Sequence, residues 1–258
     1  MKPIIELPLI GKVPSYSMFA ILGMLITSLV ALYYVHKKGY DIKKFNINHL
    51  ISFIGLLIGM KLFGMISVLL DNIWNEHTIH VKQIIDSGIV FYGGMIGYYI
   101  VFRRLERKKK NEFIFDILAF CYPLFGVFGR IGCFLGGCCY GIQSNSILAI
   151  SYHRVMWNET TTRIPVQLWE AMADIIIFII IKVLYKKELM QGKLIYLYFI
   201  IYGVIRFILE FFRGDDIRGV YGFISFSQII SILIVTYGIY QLNKRKGNRN
   251  VKLFKKSN

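Results

Sequence analysis

The chain has 258 residues, 55% of them hydrophobic, and its mean hydropathy of +0.53 is too high for an ordinary water-soluble domain. Its formal net charge of +16 suits either a nucleic-acid binder or a membrane protein with basic cytoplasmic loops. Four cysteines are too few for a disulfide-based scaffold.

Seven apolar stretches predict seven membrane-spanning helices, because one span needs about 20 largely apolar residues. Residues 1–15 lack the basic start and cleavage pattern of a secretory signal, so we expect the first helix to be retained. The third and fourth stretches are short and flank the basic hairpin 103–111, which indicates an in-and-out pair or a partly re-entrant one. We therefore predict an all-α, multi-pass membrane protein that forms a single domain over residues 1–258. The stretches are 16–35, 48–70, 88–102, 113–128, 166–185, 194–212 and 223–241.

The distribution of lysine and arginine predicts the orientation of the chain. Of the 31 basic residues, 21 fall in loops on one side of the predicted spans and 8 on the other, with Lys61 and Arg206 inside spans. The positive-inside rule then places the N-terminus outside and the C-terminus, with its basic tail 243–258, in the cytoplasm. The loop 129–165 is long and polar enough to form a small extracytoplasmic head. No basic, aromatic-interleaved patch remains, so we expect no nucleic-acid partner.

Charged residues at membrane depth are costly and are candidate functional groups. Arg206 and Glu210 are four residues apart, so they share one helix face and can pair, and Arg213 continues that face. One interpretation is a structural ion pair. The other is an arginine that binds a lipid phosphate through its planar guanidinium while Glu210 orients it.

A glycine-dense run, Gly129–Gly141, follows the fourth stretch and contains Arg130. Its five glycines allow tight turns and successive N–H groups that can bind an anion, although membrane helices also use glycine for packing. A glycine-rich turn with an embedded arginine is the more specific signal.

Three further places carry weaker signals. Tyr92 precedes two glycines, and Gly93 and Gly97 have the four-residue spacing of a close helix contact, so the segment is either a packing motif or a site with the Tyr92 hydroxyl. Gln167 and Glu170 open the fifth span, where an acid is ordinary at a helix N-terminus, and Asp174 is expected to face the bundle. Tyr16 is either an interfacial aromatic anchor or a pocket residue.

The cysteines of the glycine-dense run have more than one interpretation. Cys133, Cys138 and Cys139 have a C-x4-C-C spacing that is not a usual zinc pattern, although His153 would complete a ligand set. A disulfide from Cys133 to Cys138 or Cys139 outside the membrane, and free thiols that shape a pocket, are the alternatives.

Taken in the order in which they occur along the chain, these segments resemble the prolipoprotein diacylglyceryl transferase family over essentially the whole chain. The family has an early span with an outer tyrosine, followed by a His-Gly-Gly-x-x-Gly segment and a run from Gly-Arg-x-Gly to aromatic-Gly. Further along the chain it has a helix that starts with Pro-x-Gln-aliphatic-aromatic-Glu and a helix with the pattern Arg-x-x-x-Glu-x-x-Arg. These motifs correspond here to Tyr16, residues 92–97, Gly129–Gly141, residues 165–170, and the set Arg206, Glu210 and Arg213.

The resemblance implies an enzyme of the bacterial cytoplasmic membrane. It would move a diacylglyceryl group from phosphatidylglycerol to the lipobox cysteine of a prolipoprotein signal peptide and release glycerol 1-phosphate, without a metal or organic cofactor. Its partners would be these two substrates and membrane lipids. The implied catalytic set is Arg130, Arg206, Glu210 and Tyr92, and the implied substrate-binding set is Tyr16, Gly93, Gly94, Cys133, Cys138, Gly141, Gln167 and Arg213.

Three positions depart from the family pattern. Tyr92 stands where the family commonly has histidine, a natural base for a thiol, and a tyrosine is a poor base near neutral pH. Cys133 and Cys138 replace the usual Asn and Glu. The departures leave two alternatives open: a related membrane transferase with a different acceptor, and a non-enzymatic protein that binds or transports lipid.

Overall fold

The protein is described by a computed structural model over residues 2–7, 11–106, 111–153, 160–215 and 219–254. Within these ranges the chain is dominated by eight α-helices. They are α1 (Ser15–Lys37), α2 (Ile42–Asp71), α3 (Val81–Ile85), α4 (Phe91–Leu105), α5 (Glu112–Gly136), α6 (Val166–Lys186), α7 (Leu194–Leu209) and α8 (Phe226–Phe254).

Each of the seven predicted apolar stretches overlaps one helix, and α3 is an additional short helix. Among the described residues, four helical segments are long and apolar enough to cross a membrane: 15–37, 42–75, 112–136 and 194–212. Helix α4 has 15 residues and so spans about 22 Å, less than the hydrocarbon core of about 30 Å. The structure therefore supports a multi-span membrane protein, while the total of seven crossings stays a prediction.

Helices α1 and α2 have the surface expected of helices that face lipid. Only 17% of the most apolar window of each helix is buried against protein. Leu29 and Leu50 are each 65% exposed, and a soluble protein would not leave such a continuous apolar surface in water. These two helices form an outer face of the bundle.

Helices α2 and α4 approach each other through glycines, which supports one of the two interpretations of the spacing of Gly93 and Gly97. A methyl group on Gly59 would clash with the carbonyl oxygen of Gly93, and one on Gly97 would clash with the carbonyl oxygen of Gly55. Without side chains at these positions, the two backbones can pack in direct contact.

An aromatic core joins α4, α5 and α7. The rings of Tyr122 and Tyr198 stack with centroids 5.5 Å apart, and those of Tyr198 and Tyr202 stack at 5.4 Å. Tyr92 meets Tyr202 edge-on at 5.5 Å. This packing fixes α5 and α7, which carry Arg130 and Arg206, relative to α4.

The all-α expectation left out three small antiparallel hairpins, which lie next to helix ends. They pair β1 (Ile4–Leu7) with β2 (Gly11–Pro14), β3 (Ile150–His153) with β4 (Thr160–Arg163), and β5 (Val220–Tyr221) with β6 (Ile224–Ser225).

Helix α5 also runs further than predicted, to Gly136 instead of residue 128. Much of the glycine-dense run is therefore helical, and Arg130 lies on the helix and not in a turn. The predicted head, 129–165, thus begins with the last two turns of α5.

Candidate active site

Two arginines from different helices meet at one glutamate. Helices α5 and α7 end, and α6 begins, on the same side of the bundle, so the last turns of α5 and α7 face the first turns of α6. Arg130 Nε pairs with Glu170 Oε2, and Arg206 Nη1 lies 3.2 Å from Glu170 Oε1. Arg206 and Glu170 are 4% and 6% exposed. The structure therefore brings together the two arginines that the sequence selected.

The predicted pairing along α7 is confirmed. Arg206 Nη1 lies 2.5 Å from Glu210 Oε2, with the i,i+4 spacing expected of one helix face. Arg213 Nη1 lies 3.9 Å from the same carboxylate. Arg213 also donates from Nε to Asp215 Oδ1 at 2.7 Å. Acids therefore position three guanidiniums, which limits the number of orientations each can adopt.

A cavity opens beside these charges. It is lined by the charged side chains of Arg130, Arg206, Glu170 and Asp174, together with Tyr202 and a set of aliphatic side chains that we call the apolar wall. Asp174 packs against Gly126 of α5, where a methyl group would clash with its carboxylate. A surface that joins positive charge to an apolar wall matches a ligand with an anionic group and a hydrocarbon part. The remaining lining residues are Ala173, Ile177, Ile205 and Leu209.

The glycine-dense run ends in a tight turn after α5. Gly137 (φ +71°) and Cys139 (φ +56°) both have left-handed backbone conformations, and the Cys138 N–H donates to the Cys133 carbonyl at 3.1 Å. Left-handed residues commonly end helices, and Gly137 is the usual residue type there. The non-glycine residue Cys139 is less usual in this conformation.

Gly141 lies where three chain segments meet. Its N–H donates to the Ile164 carbonyl at 3.0 Å, and it forms an antiparallel bridge with Arg213. A side chain would clash with Ile164 O and approach Phe212 O to 2.9 Å. The family resemblance implied that Gly141 binds substrate, whereas in the structure the backbone that approaches it closely is the protein's own.

Gln167 supports the cysteine turn. Its Nε2 donates to the Cys138 carbonyl at 2.6 Å, and its Oε1 accepts from the Tyr152 hydroxyl at 2.8 Å. Burial raises the pKa of Tyr152 to about 12, so the hydroxyl keeps its proton at neutral pH. The structure thus places Gln167 behind the site as a support for the backbone, and not among the residues that line the cavity.

The three cysteines of the run cluster beside the arginines. The Sγ atoms of Cys133, Cys138 and Cys139 all lie within 4.8 Å of one another. Cys133 is buried, the other two are half-buried, and all are free thiols. Tyr16 opens α1 next to this cluster, and its Cα would be 3.2 Å from a methyl group on Gly132.

The segment that corresponds to the family's His-Gly-Gly lies behind the cavity, where Tyr92 packs against the lining residue Tyr202. Tyr92 is 2% exposed, and its hydroxyl is 2.7 Å from Ser231 Oγ. Gly93 packs against Gly59 and Phe63 of α2, and Gly94 packs against Met60. The structure gives these residues packing contacts and does not place them among the residues that line the cavity.

Four residues outside the predicted site set complete the site: Glu170, Asp174, Tyr202 and Asp215. Asp174 was expected to face the bundle, and this is confirmed by its burial, while Glu170 was named at the helix start with its role left open. A signal existed for Glu170 and Asp174, since two acids four residues apart in an apolar helix are costly unless they face the protein interior. Tyr202 had no such signal among 17 tyrosines.

Comparison with known proteins identifies the family of the chain. The family model described as "Prolipoprotein diacylglyceryl transferase" matches residues 4–243. A phosphatidylglycerol--prolipoprotein diacylglyceryl transferase of Clostridium tetani is 31% identical over 94% of this chain and 97% of its own length. A second such enzyme, numbered 2, of Clostridium perfringens is 31% identical over 92% and 94%. One from Campylobacter lari is 30% identical over 89% and 88%. The chain therefore belongs to the prolipoprotein diacylglyceryl transferase family.

Proposed function

We propose that this protein transfers the diacylglyceryl group of phosphatidylglycerol to the lipobox cysteine thiol of a prolipoprotein and releases glycerol 1-phosphate. The observation that carries the proposal is the convergence of Arg130 and Arg206 on one cavity that also has an apolar wall. The protein would act in a bacterial cytoplasmic membrane with its N-terminus outside and its basic tail in the cytoplasm, as the distribution of lysine and arginine supports.

The arginine pair suits the charge change in this reaction. The phosphodiester of phosphatidylglycerol carries one negative charge, and cleavage of its carbon–oxygen bond leaves a phosphate monoester with a second charge. The interaction with two fixed guanidiniums therefore strengthens as the bond breaks, which is the requirement for stabilising a transition state. Preorganised donors of this kind contribute on the order of 3 kcal/mol each.

The ion pairs leave donors for a phosphate. A guanidinium has five N–H groups, and the pairs with Glu170 engage Arg130 through Nε and Arg206 through Nη1. Glu170 and Glu210 would hold the two groups in place between turnovers. The acyl chains would lie along the apolar wall formed by Ile205 and Leu209.

The direct test uses full-length protein in detergent, vesicles of phosphatidylglycerol and a synthetic lipobox peptide. We expect a thioether-linked product with wild type, and at least about 100-fold slower transfer with Arg130→Ala or Arg206→Ala. Arg104→Ala is the matched control, because Arg104 is exposed at the end of α4.

Removing a buried ion-pair partner can also unfold a protein, so a second variant is needed. Arg206→Lys keeps the charge but loses the planar fork, and it should fold while transferring slowly. Full activity in Arg130→Ala or Arg206→Ala would overturn the proposed mechanism. Turnover of phosphatidylglycerol without peptide modification would indicate a different acceptor.

A further inference from the structure

We propose that Cys133, Cys138 and Cys139 bind one Zn²⁺ ion, and that the fourth coordination position of this ion takes the thiol of the acceptor cysteine. This inference rests on the proposed function, because it assigns the group that activates the acceptor. It departs from the sequence expectation of a reaction without metal.

The first argument is the number and spacing of the sulfur atoms. Three Sγ atoms lie within 4.8 Å of one another, and in a tetrahedral site with Zn–S bonds of about 2.3 Å the sulfurs are about 3.8 Å apart. Small side-chain rotations in a half-buried turn would close that gap. Three protein ligands with one open position are typical of catalytic zinc sites, whereas structural sites have four.

The surroundings hold the ligands in place from both sides. Cys133 is on α5, and the hydrogen bond from the Cys138 N–H to its carbonyl folds the turn back toward the helix. Gln167 fixes the Cys138 carbonyl from α6. Cys139 adopts a left-handed conformation that costs on the order of 1–3 kcal/mol for a non-glycine residue, and such conformations persist where the surroundings require them.

The charge around the cluster also suits a zinc–thiolate centre. A Zn²⁺ ion with three protein thiolates and one substrate thiolate carries a net charge of −2. Arg130 lies three residues before Cys133 on α5, and the backbone of Arg213 pairs with Gly141, two residues after Cys139. Both guanidiniums are also paired with carboxylates, Arg130 with Glu170 and Arg213 with Asp215, so they would offset part of the charge of the centre, which lowers the cost of burying it.

Arg130 links this centre to the phosphate cavity. Its side chain lines the cavity, and it lies three residues before Cys133 on α5, a spacing that makes the two side chains neighbours on the helix. A thiolate bound at the fourth position would thus be near a phosphodiester held by Arg130 and Arg206. That proximity places the nucleophile and the leaving group at neighbouring sites.

Zinc would supply what Tyr92 does not. Because the Tyr92 hydroxyl is buried against Ser231, it is not placed to take a proton from an incoming thiol. A thiol that coordinates a metal ion loses its proton on binding, so no separate base is required.

The acceptor thiol binds zinc and releases its proton to solvent. Its sulfur then forms a bond to the glyceryl carbon while the bond from that carbon to the phosphate oxygen breaks. The electron pair of the broken bond leaves with glycerol 1-phosphate. The neutral thioether is a weak ligand and dissociates from the metal.

The first experiment measures metal content in purified full-length protein by mass spectrometry. We expect about one zinc per chain in wild type, and a loss of at least about tenfold in Cys133→Ser, Cys138→Ser and Cys139→Ser. Cys121→Ser is the matched control, because Cys121 is a buried thiol of α5, the helix that also carries Cys133, and lies outside the cluster. It should retain the metal. Equal thermal unfolding of the variants in detergent would show that loss of metal is not loss of fold.

The second experiment replaces zinc with Co²⁺ and records the absorption spectrum. Adding a lipobox peptide should change the cobalt bands, and the same peptide with serine in place of cysteine should not. If zinc and Co²⁺ fail to bind to protein that transfers the diacylglyceryl group, or if mass spectrometry finds a disulfide among the three cysteines of active protein, the metal site is overturned. If Co²⁺ binds but its spectrum does not change when the cysteine peptide is added, the assignment of the fourth position to the acceptor thiol is overturned. A closed site with His153 as the fourth ligand would give this result. The side chain of His153 lies outside the described residues. Protein that binds metal and responds to the peptide but transfers no lipid would keep the site and refute the proposed function instead.

Discussion

Arg130 and Arg206 come from different helices, yet their guanidinium groups contact the two oxygens of one carboxylate, that of Glu170. Two like charges at this depth would repel each other without the glutamate between them. The arrangement therefore depends on Glu170 as much as on either arginine.

Replacing Glu170 with glutamine should disable the site. Glutamine has nearly the same shape, but it is neutral and offers only one oxygen, so the two arginines lose a shared partner. Leaving buried charges unpaired costs about 3–5 kcal/mol, and we expect a lower unfolding temperature together with about 100-fold slower transfer. Thermal unfolding in detergent and the peptide transfer assay measure both effects. Met172→Ala, on the exposed side of the same helix, should change neither. Native activity in Glu170→Gln would show that the arginines do not need this bridge.

The glycines of the two family motifs should differ in their tolerance of alanine. A methyl group on Gly93 would clash with Gly59 O and would lie 2.6 Å from Phe63 Cβ, whereas one on Gly129 meets no atom within 4 Å. We expect Gly93→Ala to separate α2 from α4 and to cost about 1–3 kcal/mol of stability. Gly129→Ala should be neutral or slightly stabilising, since alanine is favoured within a helix. Equal unfolding temperatures for both variants would contradict the packing role of Gly93.

Tyr92→Phe should retain transfer within about threefold of wild type. The hydroxyl is buried and lies 2.7 Å from Ser231 Oγ, so its loss removes one hydrogen bond worth about 1 kcal/mol. Ser231→Ala is the matched variant, and it should lower the unfolding temperature by a similar amount. A loss of transfer beyond about 100-fold, with unchanged stability, would show that Tyr92 takes part in the chemistry as the family resemblance implied.

Sequence patterns predict contacts between neighbouring residues of one helix, but they do not predict how the ends of different helices meet. The pairing of Arg206 with Glu210 was predictable, because four residues along one helix fix which side chains are neighbours. The contact of Gly93 with α2 was one of two interpretations, and the structure supports it. The central role of Glu170 was not predictable, because it depends on how the ends of α5 and α7 meet the start of α6.

The clustering of Cys133, Cys138 and Cys139 was also not predictable from the sequence. Their linear spacing is unlike a usual zinc motif, and a helix end was not expected in the glycine-dense run. The helix continues to Gly136 and the turn after it reverses the chain, which brings Cys138 and Cys139 back toward Cys133. The relevant spacing is therefore set by a helix-ending turn, and a count along the sequence does not show it.

Glu106, a buried carboxylate outside the candidate site, gives a prediction about pH. It accepts hydrogen bonds from Tyr40 at 2.5 Å, Asn48 at 2.5 Å and Asn111 at 2.7 Å, and Lys44 Nζ lies 3.4 Å away. Burial acts to raise the pKa of Glu106, but these donors and the Lys44 charge outweigh it. The net result is a pKa below the ordinary value of 4.5.

A carboxyl group whose pKa is lower in the folded state than in the unfolded state stabilises the fold above the unfolded value. That contribution is lost as the pH falls through the folded pKa. Glu106→Gln should therefore lower the unfolding temperature at pH 7, because hydrogen bonds to a charged group contribute about 1.5–3 kcal/mol. The difference from wild type should shrink as the pH falls below 4.5. Thermal unfolding in detergent across this range measures both, with the exposed Glu188→Gln as the control. If the difference in unfolding temperature is the same at neutral and acidic pH, the charge of Glu106 contributes nothing to stability. Only contacts that do not depend on that charge would then connect α4 to the start of α2.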